Sequence, residues 1–173
     1  MQMKTIMTGL CCLALCCTPV FAQGGTLSKS DQAFLKMAAE TDMTEAHMGQ
    51  MAQDQASEQG VKDLGQALIQ DHTKDYNTLS QLATKLGATI PNGIDASKVA
   101  PIRSLEHLKG KSFDRRFIRE SVTGHEKVIA AYKKQSEHGD NADIKAYATQ
   151  ALPTLEDHLH KSEDLAKQGK MAS

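Results

Sequence analysis

The sequence has no tryptophan, and its four cysteines, Cys11, Cys12, Cys16 and Cys17, all lie within the first 22 residues. Three tyrosines and four phenylalanines are its only aromatics. Alternating β-branched runs are absent too, which removes the vocabulary of strands. No nucleophile motif, glycine-rich phosphate loop or pair of acid/base carboxylates occurs, and a hydrolase or transferase needs one of these. An excess of charge of either sign is also missing. This argues against nucleic acid or an anionic membrane surface as a partner.

What is present begins with Met1 to Ala22, MQMKTIMTGLCCLALCCTPVFA: one lysine, an apolar run, then Val20-Phe21-Ala22. The run is shorter than the about 20 residues of a transmembrane helix. Its small-residue end suits signal peptidase, so residues 1–22 read as a cleaved signal peptide and the chain as periplasmic. Leu15 before Cys16 is too large for a lipidation site. Cleavage removes every cysteine, so no disulfide framework is expected. It leaves residues 23–173 as a single domain with 19 basic and 21 acidic side chains, a net charge of −2. Such a domain is held together by its core alone, as a monomer or weak oligomer with no membrane span.

Alanine, leucine, glutamine, lysine and glutamate, all good helix formers, dominate the remainder. Capping residues delimit four helical segments. The first runs from about Ser28 to Ser57 and the second from about Val61 to Leu86, ending at Gly87. The third runs from about Phe113 to His138 with Ser112 as N-cap. The fourth runs from about Asn141 to Gln168, capped by Asp140, followed by Gly169 and interrupted by Pro153. Between the second and third lies a long connection, Gly87 to Ser112, with a short helix expected from Pro101 to Lys109. Short links make antiparallel hairpins of helices one–two and three–four. The expected fold is all-α: a ferritin-like four-helix bundle with a long connection between helices two and three.

Each helix has an apolar stripe at spacings of three and four, and each stripe is interrupted near its middle by one metal-capable residue. They are Glu45 in the first helix, His72 in the second, His125 in the third and His158 in the fourth. Glu45 and His72 both lie about 12 residues from their shared turn, about 18 Å along the axis. His125 lies mid-helix, and His158 within about one turn of it in height. Three imidazoles and a carboxylate suit one borderline ion, Zn²⁺ or Cu²⁺. The alternative is a metal-free hydrogen-bonded network that sets helix register. Asp71, Glu126 and Asp157 adjoin the histidines in sequence, but helix neighbours do not face each other. Met43, His47 and Met51 form a second row on the face opposite Glu45; His160 points away from His158.

The segments AETDMTEAHMGQMA, VKDLGQALIQDHTKDYNTLSQLATKLGATIP, SFDRRFIRESVTGHEKVIAAYKKQSEHGDNADIKAYA and LPTLEDHLHKSEDL resemble the bacterial family catalogued as domain of unknown function 4142. The resemblance implies a ferritin-like fold and export, and no settled activity. Di-iron ferritin-like proteins carry Glu-x-x-His on two helices. Here Ile69, Val122 and Leu155 stand three residues before the histidines, so the bridging carboxylates are missing. The sequence therefore favours a non-enzymatic exported bundle with an optional core metal. A protein-interaction or stress-response module with a purely structural cluster is the second expectation, and a metal-dependent redox enzyme the third.

Overall fold

The computed structural model describes residues 26–96 and 99–171. The signal peptide expected over residues 1–22 lies outside them. Chain order gives α1 (Lys29–Gln55), α2 (Gln59–Lys85), a short α3 (Ala100–Arg103), α4 (Gly110–His138) and α5 (Ala142–Met171), with no strand among the described residues.

Ser28 caps α1 by accepting from the Asp31 N–H at 3.1 Å. Past the end of α2, Gly87 takes a left-handed φ of 64°, a conformation glycine adopts without steric cost. Ser112 and Asp140 are not caps. α4 starts earlier, at Gly110, and α5 is capped by Asn141, whose Oδ1 accepts from the N–H groups of Asp143 (3.0 Å) and Ile144 (3.1 Å). Nor does Gly169 end α5, and the exposed Pro153 leaves that helix unbroken.

Two buried aspartates fix how the hairpins are joined. Asp31, at the start of α1, accepts from Gln135 Nε2 (2.5 Å) and from the Asn141 N–H (3.0 Å) at the α4–α5 turn. Asp114, at the start of α4, accepts from the N–H groups of Ser57 (3.0 Å) and Glu58 (3.2 Å) and from the Ser57 hydroxyl at the α1–α2 turn. α4 therefore begins at the bundle end where α1 finishes. The order of directions is up, down, down, up, and the connection after α2 runs the length of the bundle. Along it Ile90 packs on one end of the core, while Ile94, Ile102 and Leu105 pack on the other. Leu105 is fully buried, so the connection caps the bundle. Its helix is shorter than expected. After Ala100–Arg103 the backbone bonding tightens to Leu105 N–H on Ile102 O and Leu108 N–H on Leu105 O, a 3₁₀-like pattern that runs out quickly.

α1 and α2 approach so closely that a Cβ on Gly49 would lie 2.5 Å from the Gly65 carbonyl oxygen. Only glycine fits there. The core divides into two apolar clusters. One holds Phe34, Leu35, Leu79, Tyr132 and Ile144; the other holds Met48, Leu64, Leu68, Phe113 and Phe117. Neither contains a histidine. The histidine layer lies between them.

Candidate metal centre

α2, α4 and α5 each deliver one imidazole to this layer. His72, His125 and His158 are 3%, 1% and 0% exposed. Their ring centroids stand 6.0 Å (72–125), 5.3 Å (72–158) and 5.3 Å (125–158) apart. Each residue offers a ligand nitrogen, and the three nitrogens lie within 4.8 Å of one another. Bonds of about 2.0–2.1 Å to a shared ion require roughly 3–4 Å between ligand atoms.

Each ring is held through one nitrogen. His125 Nδ1 donates to the Ser121 carbonyl at 2.9 Å. A carbonyl oxygen can only accept, so Nδ1 carries a proton, and in the neutral tautomer of this ring the lone pair is on Nε2. His158 Nε2 meets the Asp71 carboxylate at 2.9 Å, and His72 Nδ1 meets Asp42 Oδ1 at 2.9 Å. The opposite nitrogens (His72 Nε2, His125 Nε2 and His158 Nδ1) are buried and have no hydrogen-bond partner in the protein. Below the rings the Ser162 hydroxyl donates to the His158 carbonyl at 2.7 Å. Its oxygen therefore accepts from Ser121 Oγ at 2.8 Å, which anchors α4 to α5 beside both histidines.

Glu45, from α1, is 6% exposed, and its Oε2 is likewise unpartnered. It lies against α4, where a Cβ on Gly124 would come within 3.2 Å of its Oε1. The mutually close ligand atoms include the three histidines but not Glu45. Glu45 thus borders the triad without joining it.

Burial disfavours the charged forms of His72, His158 and Asp42. Burial pushes the His158 pKa down to about 4; the neighbouring His72 and His125 add to this and the Asp71 hydrogen bond opposes it. His72 is also lowered, by burial first, with Glu45 pulling the other way. Burial, reinforced by Asp75 and Glu45, raises Asp42 to about 9. Asp75 is raised by burial and takes the Tyr147 hydroxyl at 2.6 Å.

Asp42, Asp71 and Asp75 were not among the expected site residues. Asp42 stands three residues before Glu45, on the same face of α1. Asp71 does not face His72, as expected for a helix neighbour; it reaches across to His158 on α5 instead. The row of Met43, His47 and Met51 does not form a surface set, because Met51 is buried in the apolar cluster while His47 is exposed. His160 is exposed and faces Asp164 on its own helix.

The fold and site define a class: a four-helix bundle with a buried triad of imidazoles at mid-height, each oriented by a carboxylate or a carbonyl. The chain belongs to the family described as Domain of unknown function (DUF4142), whose model matches residues 17–165. No curated protein matches it. A DUF305 fragment from Deinococcus radiodurans superposes at a TM-score of 0.71 with 12% identity, covering 82% of this chain and 98% of that one. A DUF305 protein from Streptomyces coelicolor, provisionally described as secreted, superposes at 0.69 with 13% identity over 82% and 92%. CopM in its Cu(II)-bound form superposes at 0.65 with 15% identity over 80% and 96%. No described helix is long and apolar enough to cross a membrane.

Proposed function

We propose that this protein is an exported, non-enzymatic helical bundle that holds one transition-metal ion between His72, His125 and His158, beside the Glu45 carboxylate. The observation that carries the proposal is the mutual approach of three buried imidazoles, each of which also has one ring nitrogen without a hydrogen-bond partner, beside an unpartnered oxygen of Glu45. A metal-free network setting helix register would need a donor among these atoms. Since the neutral His125 ring, tied by its Nδ1 to a carbonyl, offers none from Nε2, that donor would have to come from another ring. The second nitrogens meet a carboxylate or a carbonyl, the arrangement that commonly orients metal-ligating histidines.

Three imidazoles with an adjacent carboxylate suit Zn²⁺ or Cu²⁺. CopM, similar in fold at 15–16% identity, has been solved in Ag-, Cu(II)- and Cu(I)-bound forms; copper therefore belongs beside zinc among the ions tried. Export by cleavage after Ala22 completes the proposal, and intact-mass measurement of the exported chain tests that part. A mass that retains any of the four cysteines would contradict it.

Thermal unfolding with and without Zn²⁺ or Cu²⁺ tests the site. Binding to the folded state raises the midpoint by mass action. His72→Ala and His125→Ala should abolish that rise, and His47→Ala and His160→Ala should preserve it. A wild type indifferent to both ions would leave a structural role for the layer.

A further inference from the structure

We infer that the groove between α2 and α5 is the path by which a hydrated divalent cation reaches the three imidazoles, with Asp71 and Asp75 at its mouth forming a capture site. The inference rests on the metal-binding proposal and adds a route to it. A cavity of about 230 Å³ opens on this side of the bundle, lined by Asp71, His72, Asp75, Tyr147, Thr154 and Leu155 among others. That volume takes several waters at about 30 Å³ each. His72 connects the groove to the buried layer: it is 3% exposed, lines the cavity and has an unpartnered Nε2.

Asp71 spans the same boundary from outside. Its side chain is 42% exposed, yet its Oδ2 lies 2.9 Å from the fully buried His158 Nε2. One carboxylate is thus a single hydrogen bond from the site while still meeting solvent. Asp75, one helical turn further along α2, lines the cavity beside it and is held by the Tyr147 hydroxyl. The two carboxylates share this concave wall with one cation, Lys74, and outnumber it, so the groove draws cations and raises their local concentration. The layer is closed along the bundle axis, where Phe113, Phe117, Leu68 and the Ser121–Ser162 pair pack on one side and Leu79 and Tyr132 on the other.

Stopped-flow loading of metal-free protein with Co²⁺, followed through its visible absorption, separates this route from a structural role. Thr154 is exposed, so Thr154→Trp fills the groove without touching the core. Association and dissociation should both slow about ten-fold or more, with the equilibrium constant unchanged. Asp71→Asn keeps an acceptor for His158 but removes the charge. Its association rate should fall about ten-fold at low ionic strength and lose much of its salt dependence. Wild-type rates in Thr154→Trp, or an Asp71→Asn defect confined to dissociation, would overturn the route and leave the site standing. A wild type that takes up no ion would overturn both.

Discussion

Polar groups are buried at two kinds of place in this bundle, and they are treated in opposite ways. At the two ends, Asp31 and Asp114 each accept hydrogen bonds from the opposite hairpin's turn, so both carboxylates are satisfied within the protein. At mid-height, Asp42, Glu45, His72, His125 and His158 leave five buried polar atoms without a partner; among the described residues these five are the full set of such side-chain atoms. A buried polar atom left unpaired costs about 1–3 kcal/mol, so a purely structural layer built this way would be a poor use of the core. The ends join the hairpins. The middle leaves its polar atoms unpaired.

Substitutions can break this contrast in graded ways. The largest effect should come from the apolar halves: Phe117→Ala removes a fully buried ring and should cost about 3–5 kcal/mol, read by denaturant unfolding of metal-free protein. The added stability from Zn²⁺ or Cu²⁺ should survive in that variant. Next, an ion at about 100 times its Kd should add about 2.7 kcal/mol to the wild type and nothing to His125→Ala. Asp114→Ala strands the donors of Ser57 and Glu58 and should cost about 2 kcal/mol with or without metal, because it acts at the end of the bundle.

Acidification sharpens the contrast from another side. His158 stays neutral in the folded state down to about pH 4, whereas in the unfolded chain it takes up a proton below about 6.5. Its contribution to stability is complete above pH 6.5 and is lost as the pH falls from there to about 4. Asp42, raised to about 9, acts oppositely: the unfolded chain ionises it above about 4, so its contribution declines as the pH rises towards 9. From about pH 4 to 6.5 the two contributions oppose each other and leave the stability of metal-free protein nearly level. Above about 6.5 Asp42 acts alone and stability should fall towards pH 9, and in urea titrations His158→Gln should extend that fall down to about pH 4. The smallest effect belongs to the surface: His160→Ala should stay within about 0.5 kcal/mol of wild type.

Much of this was legible from residue spacing. Interruption of a three-and-four stripe by one imidazole marks depth in a helix, and it located His72, His125 and His158 without coordinates. Glu45 was found by the same rule, but the rule fixes a face and a height, not a rotamer, so it could not tell a ligand from a neighbour. The partners of the histidines were harder. Asp71 and Asp42 pair across helices, and such pairs depend on the rotation of each helix about its axis, which the close Gly49–Gly65 approach helps to set between α1 and α2. Ser112 and Asp140 misled for a local reason: several residues at each helix start can cap, and the conformations of Gly110 and Asn141 decide among them.

X-ray absorption at the metal edge of stoichiometrically loaded protein tests the central claim most directly, because it reports the donors themselves. The wild type should show three imidazole nitrogens at about 2.0–2.1 Å with at most one further light-atom donor. His125→Ala should show two imidazoles or no bound ion. A wild-type first shell made mainly of oxygen or sulfur, or one unchanged by His125→Ala, would place the ion elsewhere and contradict the account.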